Sequence, residues 1–113
     1  TMMQVVFVVL HKTELLQDLL TKLKKAGVSG GTIIDSQGMI SYIQESDESY
    51  ILGSLRLFLE QARPDSKTMF FIIKDEQVDL VFETIDKALG GLENHNTGIA
   101  FAMPITRVEG VVK

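Results

Sequence analysis

Two stretches of the chain carry apolar residues at helical spacing, and each follows a short run rich in β-branched residues. In the first, Leu15, Leu16, Leu19, Leu20 and Leu23 form a stripe, with Lys12, Asp18, Lys22 and Lys24 off it. In the second, Val78, Val81, Phe82, Ile85 and Leu89 do the same. A helix with one apolar stripe must bury it against another layer. The strands around these helices therefore have to form a sheet, and this requirement narrows the available folds more than any other feature.

The ends of both helices carry stop and start signals. Thr13 suits the N-cap of the first, and Gly27 can take the left-handed conformation that closes it. Lys24 and Lys25 complement its negative end. Asp75 is expected to cap the second helix, with Glu76 and Asp79 nearby at its positive end and Lys87 near the other. Gly90 and Gly91 terminate it.

Strands are expected at Gln4 to Leu10 (QVVFVVL), from Thr32 to Ile34, at Thr68 to Ile73 (TMFFII) and at Ile99 to Met103. Pro104 should stop the fourth strand, and Val108 to Val112 reads as a short final edge strand. Gly38 marks a departure from regular structure, and Gln44 to Ser49 is polar and acidic. Tyr50 to Ala62 returns to a helical pattern before Pro64, although Gly53 weakens it by about 1 kcal/mol relative to alanine. The order predicts an α+β, ferredoxin-like βαββαβ domain spanning residues 1–113. It has a four-stranded antiparallel sheet, two helices on one face, and an extra short helix between strands 2 and 3.

The strands are apolar on both parities. Val5, Phe7 and Val9 alternate with Val6, Val8 and Leu10, and Met69, Phe71 and Ile73 alternate with Phe70 and Ile72. Two helices cover only one sheet face, so the other calls for a partner, most simply copies of the same chain. The alternative, in which the short helix at Tyr50 to Ala62 folds back over that face in a monomer, covers too little area and ranks below it.

Composition removes several classes of function. The chain has 113 residues, a net charge of −4 and no cysteine. Thiolate metal sites, disulfides and cysteine nucleophiles are excluded. The acidic balance disfavours nucleic acid, which needs a basic surface. The apolar run Val5 to Leu10 is far too short for a spanning helix or a signal-peptide core, so a soluble, cytoplasmic protein without membrane insertion is expected.

Three segments together resemble the PII family of nitrogen-regulatory signalling proteins. Gly27 to Met39 (GVSGGTIIDSQGM) is similar to the junction between the first helix and the second strand, ending at the glycine that opens the long T-loop. Lys74 to Leu89 (KDEQVDLVFETIDKAL) is similar to the second helix. Thr97 to Val111 (TGIAFAMPITRVEGV) is similar to the passage from the glycine-rich B-loop into the last strand. The likeness covers nearly the whole chain except residues 40 to 66.

The resemblance implies a homotrimer that regulates a partner protein by binding rather than by catalysis, in nitrogen or carbon metabolism. It implies small-ligand binding in clefts between subunits, with ATP, ADP and often 2-oxoglutarate as the family's ligands. Residues 38–66 would form a modified T-loop region. Thr32, Gly38, Thr97 and Gly98 are what this chain keeps of the nucleotide cleft. The family's G-F-G-R-Q is here Gly38-Met39-Ile40-Ser41-Tyr42, and its G-D-G-K is Asn96-Thr97-Gly98-Ile99. The positions of its R-x-R pair fall on Gly110 and Val112. Charge-assisted contacts contribute roughly 1.5–3 kcal/mol each, so these losses weigh against a triphosphate, with Lys67 and Arg107 as the only substitutes in view. A smaller anion or another nucleotide stays open, as does a protein-interaction module that keeps the PII scaffold without a nucleotide site.

Other constellations are weaker. His11 and His95 could approach one another at one end of the sheet, and a CutA-like metal-tolerance trimer shares the fold, but two exposed histidines are the simpler reading. Glu45, Asp47 and Glu48 lack EF-hand spacing. Tyr42 and Tyr50 carry no modification motif. No nucleophile–base pair, G-x-S-x-G elbow or Walker A lysine is present, and the chain is expected not to be an enzyme. Lys12 alone would make a weak phosphate clamp. The RNP1 pattern of an RNA-recognition domain is also missing.

Overall fold

The computed structural model describes residues 2–39, 65–93 and 97–111. The elements run β1 (Met3–Leu10), α1 (Leu16–Lys25), β2 (Thr32–Gln37), β3 (Asp65–Lys74), α2 (Val78–Ala88) and β4 (Gly98–Ile105). The four strands form one sheet in the order β2-β3-β1-β4. Every neighbouring pair is antiparallel. This is the ferredoxin-like α+β arrangement. The expected short helix at Tyr50 to Ala62 lies outside the described residues.

The register selects which parity of each strand meets the helices. Val6 lies between Phe71 and Ala102, and Val8 lies between Met69 and Ala100. Val6, Val8, Leu10, Met69, Phe71 and Ile73 are buried, together with Leu19 and Leu23 of α1 and Val81, Ile85 and Ala88 of α2. Burying each of the large apolar side chains contributes about 1.5–3 kcal/mol. The opposite parity (Val5, Phe7, Val9, Phe70 and Ile72) is only half-buried, and Ile34, Ile99, Phe101 and Met103 beside it are exposed.

Both helices end as their glycines predict. The amide of Gly27, at φ +101°, bonds to the Lys24 carbonyl, and that of Val28 reaches the Leu23 carbonyl. The amide of Gly90, at φ +73°, bonds to Lys87, and that of Gly91 reaches Asp86. These are paired Schellman closures.

The starts differ from expectation. Thr13 does not cap α1 with its side chain; it opens a 3-10 turn, Thr13–Leu15, in which the Leu15 amide bonds to the Lys12 carbonyl. Backbone carbonyls satisfy amides that a side chain would otherwise have to serve. Asp75 likewise opens a 3-10 turn, Asp75–Gln77, rather than capping α2. Its carboxylate accepts from Gln4 Nε2 at 2.9 Å, and its amide donates to the Met2 carbonyl. The Gln77 side chain accepts from the Lys74 amide at 3.0 Å.

The strands also extend beyond their expected ends, and one does not form. β3 begins at Asp65, ahead of Thr68, because Ser66 pairs with Ser36 on β2. β4 runs through Pro104 to Ile105. It is an edge strand, so Pro104 can lack an amide without breaking an inner ladder. The expected edge strand at Val108 to Val112 does not form among its described residues, 108–111. Among the described residues no helix is long and apolar enough to cross a membrane.

Candidate ligand site at the sheet edges

Thr32, Gly38, Thr97 and Gly98 fall on the two outer strands. Gly38 follows the last residue of β2, and Gly98 is the first of β4. Both lie at the same end of the sheet, on opposite edges, with β3 and β1 between them. Three strand spacings separate those edges, about 14 Å. Thr32 starts β2 opposite Phe70, roughly 20 Å along the strand from Gly38. One chain therefore does not gather the four residues into a pocket. Only neighbouring copies could bring a β2 edge against a β4 edge.

Thr97 is held at the exit of β1. Its carbonyl accepts the amides of His11 at 3.0 Å and Lys12 at 3.3 Å. Its hydroxyl oxygen is buried and has no hydrogen-bond partner among the described residues, an arrangement that costs about 1–3 kcal/mol when left unsatisfied. Gly98 is required by packing, because a Cβ there would stand 2.7 Å from the Val9 carbonyl oxygen. At Gly38 an added Cβ would meet nothing within 4 Å among the described residues, and its φ is not left-handed, so its backbone does not demand glycine.

The cations nearest to replacing the missing phosphate contacts are engaged. Lys67 is ion-paired with Asp35 across β2 and β3. Arg107 donates from Nε and Nη2 to Glu109 Oε2, at 3.0 and 2.6 Å. Each is held by a neighbouring carboxylate that a triphosphate would have to displace. His95 lies outside the described residues, as do Glu45, Asp47 and Glu48.

Two features went unread in the sequence. Ser36 Oγ lies 2.7 Å from Ser66 Oγ and 2.8 Å from Thr68 Oγ1, a hydroxyl cluster on the helix-free face two residues before Gly38. The spacing of Ser66 and Thr68 hinted at it, but the partner strand supplies the third hydroxyl. The second is an aromatic row on the same face. Phe7 stacks on Phe101 with centroids 5.2 Å apart and meets Phe70 at 5.5 Å, with Thr32 next in line.

No family model and no curated protein matches the sequence. Solved structures do match in fold. Arabidopsis thaliana PII bound to citrate superposes with a TM-score of 0.63 at 20% identity, covering 93% of this chain and 78% of that one. B. subtilis GlnK superposes with a TM-score of 0.64 at 18% identity, covering 94% of this chain and 87% of that one. The fold is therefore that of the PII proteins.

Proposed function

We propose that this chain is a divergent, PII-like signalling protein that senses a small ligand and controls a partner protein in the cytoplasm. It acts by binding rather than by catalysis, as one PII-like domain over residues 1–113. The observation that carries this reading is the helix-free sheet face, where Phe101, Phe7 and Phe70 form a continuous apolar row. On a PII fold, three such faces closing on one another bury that row and bring neighbouring sheet edges together. The ligand then sits between subunits at the sheet end that carries Gly38, Thr97 and Gly98, with Thr32 further along the same β2 edge, and residues 38–66 transmit the signal to a partner in nitrogen or carbon metabolism.

The engaged states of Lys67 and Arg107 favour an effector with less charge than ATP. The Arabidopsis structure holds citrate, a smaller anion. The same ion pairs support a second reading, in which the scaffold binds only proteins. Light scattering combined with calorimetry against ATP, ADP, 2-oxoglutarate and citrate tests both. A trimer that saturates with one of these is the expected result. A trimer that binds none supports the second reading, and a monomer removes the basis of both.

A further inference from the structure

On the helix side of the sheet, a trough of about 640 Å³ lies between the second half of α1 and the free edge of β2. That volume falls within the range of small-molecule sites. It exists because the helices pack over β1 and β3 and stop short of β2. Ile33 faces the helices opposite Met69, yet it is 43% exposed while Met69 is 4% exposed. The floor and wall are Leu20, Leu23, Met69 and Phe71, with Ile33 at the rim.

One cation lines this apolar trough. Lys24 makes no ion pair among the described residues, whereas Lys22, two residues earlier, is paired with Asp18 at 2.9 Å. The connecting turn adds donors, because Ser29 and Gly30 line the trough and their amides make no hydrogen bond among the described residues. Gly31 lets that turn lie close against β3, since a Cβ there would come within 2.9 Å of the Phe70 carbonyl oxygen.

We propose that this trough binds a small amphipathic monocarboxylate, its apolar body on Leu20, Leu23 and Met69 and its carboxylate at Lys24. Lys24, the cation among the described lining residues, suits a single negative charge. A dianion would stay uncompensated, and a neutral apolar molecule would leave the lysine unused. The apolar floor of Leu20, Leu23 and Met69 is on the opposite side of the sheet from the Phe101 row, and the trough meets that row only at its β2 edge, where Thr32 and Phe70 also line it.

The test is an NMR titration of the full chain with octanoate, hexanoate and octanol. Octanoate should shift the amides of Lys24, Ser29 and Ile33 at millimolar concentration. Hexanoate, two methylenes shorter, should bind on the order of tenfold more weakly. Octanol should bind several-fold more weakly than octanoate. Lys24→Gln should abolish the difference between octanoate and octanol while leaving octanol affinity unchanged, and Ile33→Asp at the exposed rim should weaken all three probes. Equal binding of octanoate and octanol to the wild type would overturn the proposal. So would shifts confined to Phe101 and Met103, which would mark non-specific adhesion to the open face. Absence of any shift in a chain whose spectrum is that of a folded protein also overturns it.

Discussion

Phe7 and Phe101 stack across β1 and β4 with their ring planes 10° from parallel, on the sheet face away from both helices. Phe101 is 42% exposed in the single chain even so. Offset stacking of this kind contributes about 0.5–1.5 kcal/mol beyond burial, but it leaves the outer ring surface uncovered. If the proposed trimer closes through this face, Phe101→Glu should leave the subunit folded and break that assembly. The expected outcome is a change from trimer to monomer in light scattering with an unchanged far-ultraviolet dichroism spectrum. Retention of the trimer would show that a different surface holds the copies together.

Ile85 and Leu80 separate the two sides of α2. Ile85 is fully buried against the sheet, whereas Leu80 is 52% exposed. Ile85→Ala should cost about 2–5 kcal/mol through lost burial and the cavity it leaves. Leu80→Ala should change stability by no more than about 0.5 kcal/mol. Urea denaturation at fixed protomer concentration measures both, and assembly must be held constant because it adds to apparent stability.

Thr97 gives a prediction of opposite sign. Its buried hydroxyl has no partner among the described residues, and valine keeps the shape without the polar atom. Thr97→Val should raise stability by about 1 kcal/mol in the ligand-free protein. If the hydroxyl serves a ligand between subunits, the same substitution should lower that ligand's affinity, which calorimetry reads separately from the denaturation midpoint.

Glu83 and Lys87 form an exposed ion pair one turn apart on α2, at 2.8 Å. The hydrogen bond and charge of Lys87 hold the Glu83 carboxyl below its ordinary value, and Glu83 raises Lys87 in return. A lowered carboxyl favours the folded chain above the unfolded carboxylate value, and this contribution is lost as pH falls through the folded value. A raised lysine contributes fully below the ordinary lysine value, and its share is lost as pH rises through the folded one. Glu83→Gln should therefore have no effect on stability below the carboxylate range. Any small effect should appear at neutral pH and shrink in high salt. A pH series of melting curves at two salt concentrations tests this.

Much of this architecture was legible because the helix stripes and their glycine stops state their own geometry. Gly27 and Gly90 close their helices as the sequence implies. The parity of the strands was not legible. Val5 and Val6 are the same residue type, and only the register with β3 and β4 decides that Val6 faces the helices. The expected third strand starts at Thr68, yet Ser66 and Lys67 join it because Ser36 and Asp35 on the facing strand give them partners. Pro104 looked like a terminator because its edge position cannot be seen in one segment. Of the four candidate ligand residues, Gly98 acquires a packing role that depends on the distance between two strands 88 residues apart in sequence, from Leu10 to Gly98.

That difference between the two glycines makes the sharpest separation of ligand binding from folding. At Gly98 a methyl group would meet the Val9 carbonyl oxygen at 2.7 Å, backbone against backbone, with little freedom to yield. Gly98→Ala should cost about 1–3 kcal/mol as an overpacking change, and any loss of ligand affinity would follow from the displaced strand. At Gly38 a methyl group meets nothing within 4 Å among the described residues, and no left-handed conformation is required. Gly38→Ala should leave the melting temperature within about a degree or raise it slightly, because alanine restricts the unfolded chain. A fall in effector affinity in this variant, with stability intact, would assign Gly38 to the ligand rather than to the fold. Unchanged affinity would remove Gly38 from the candidate site.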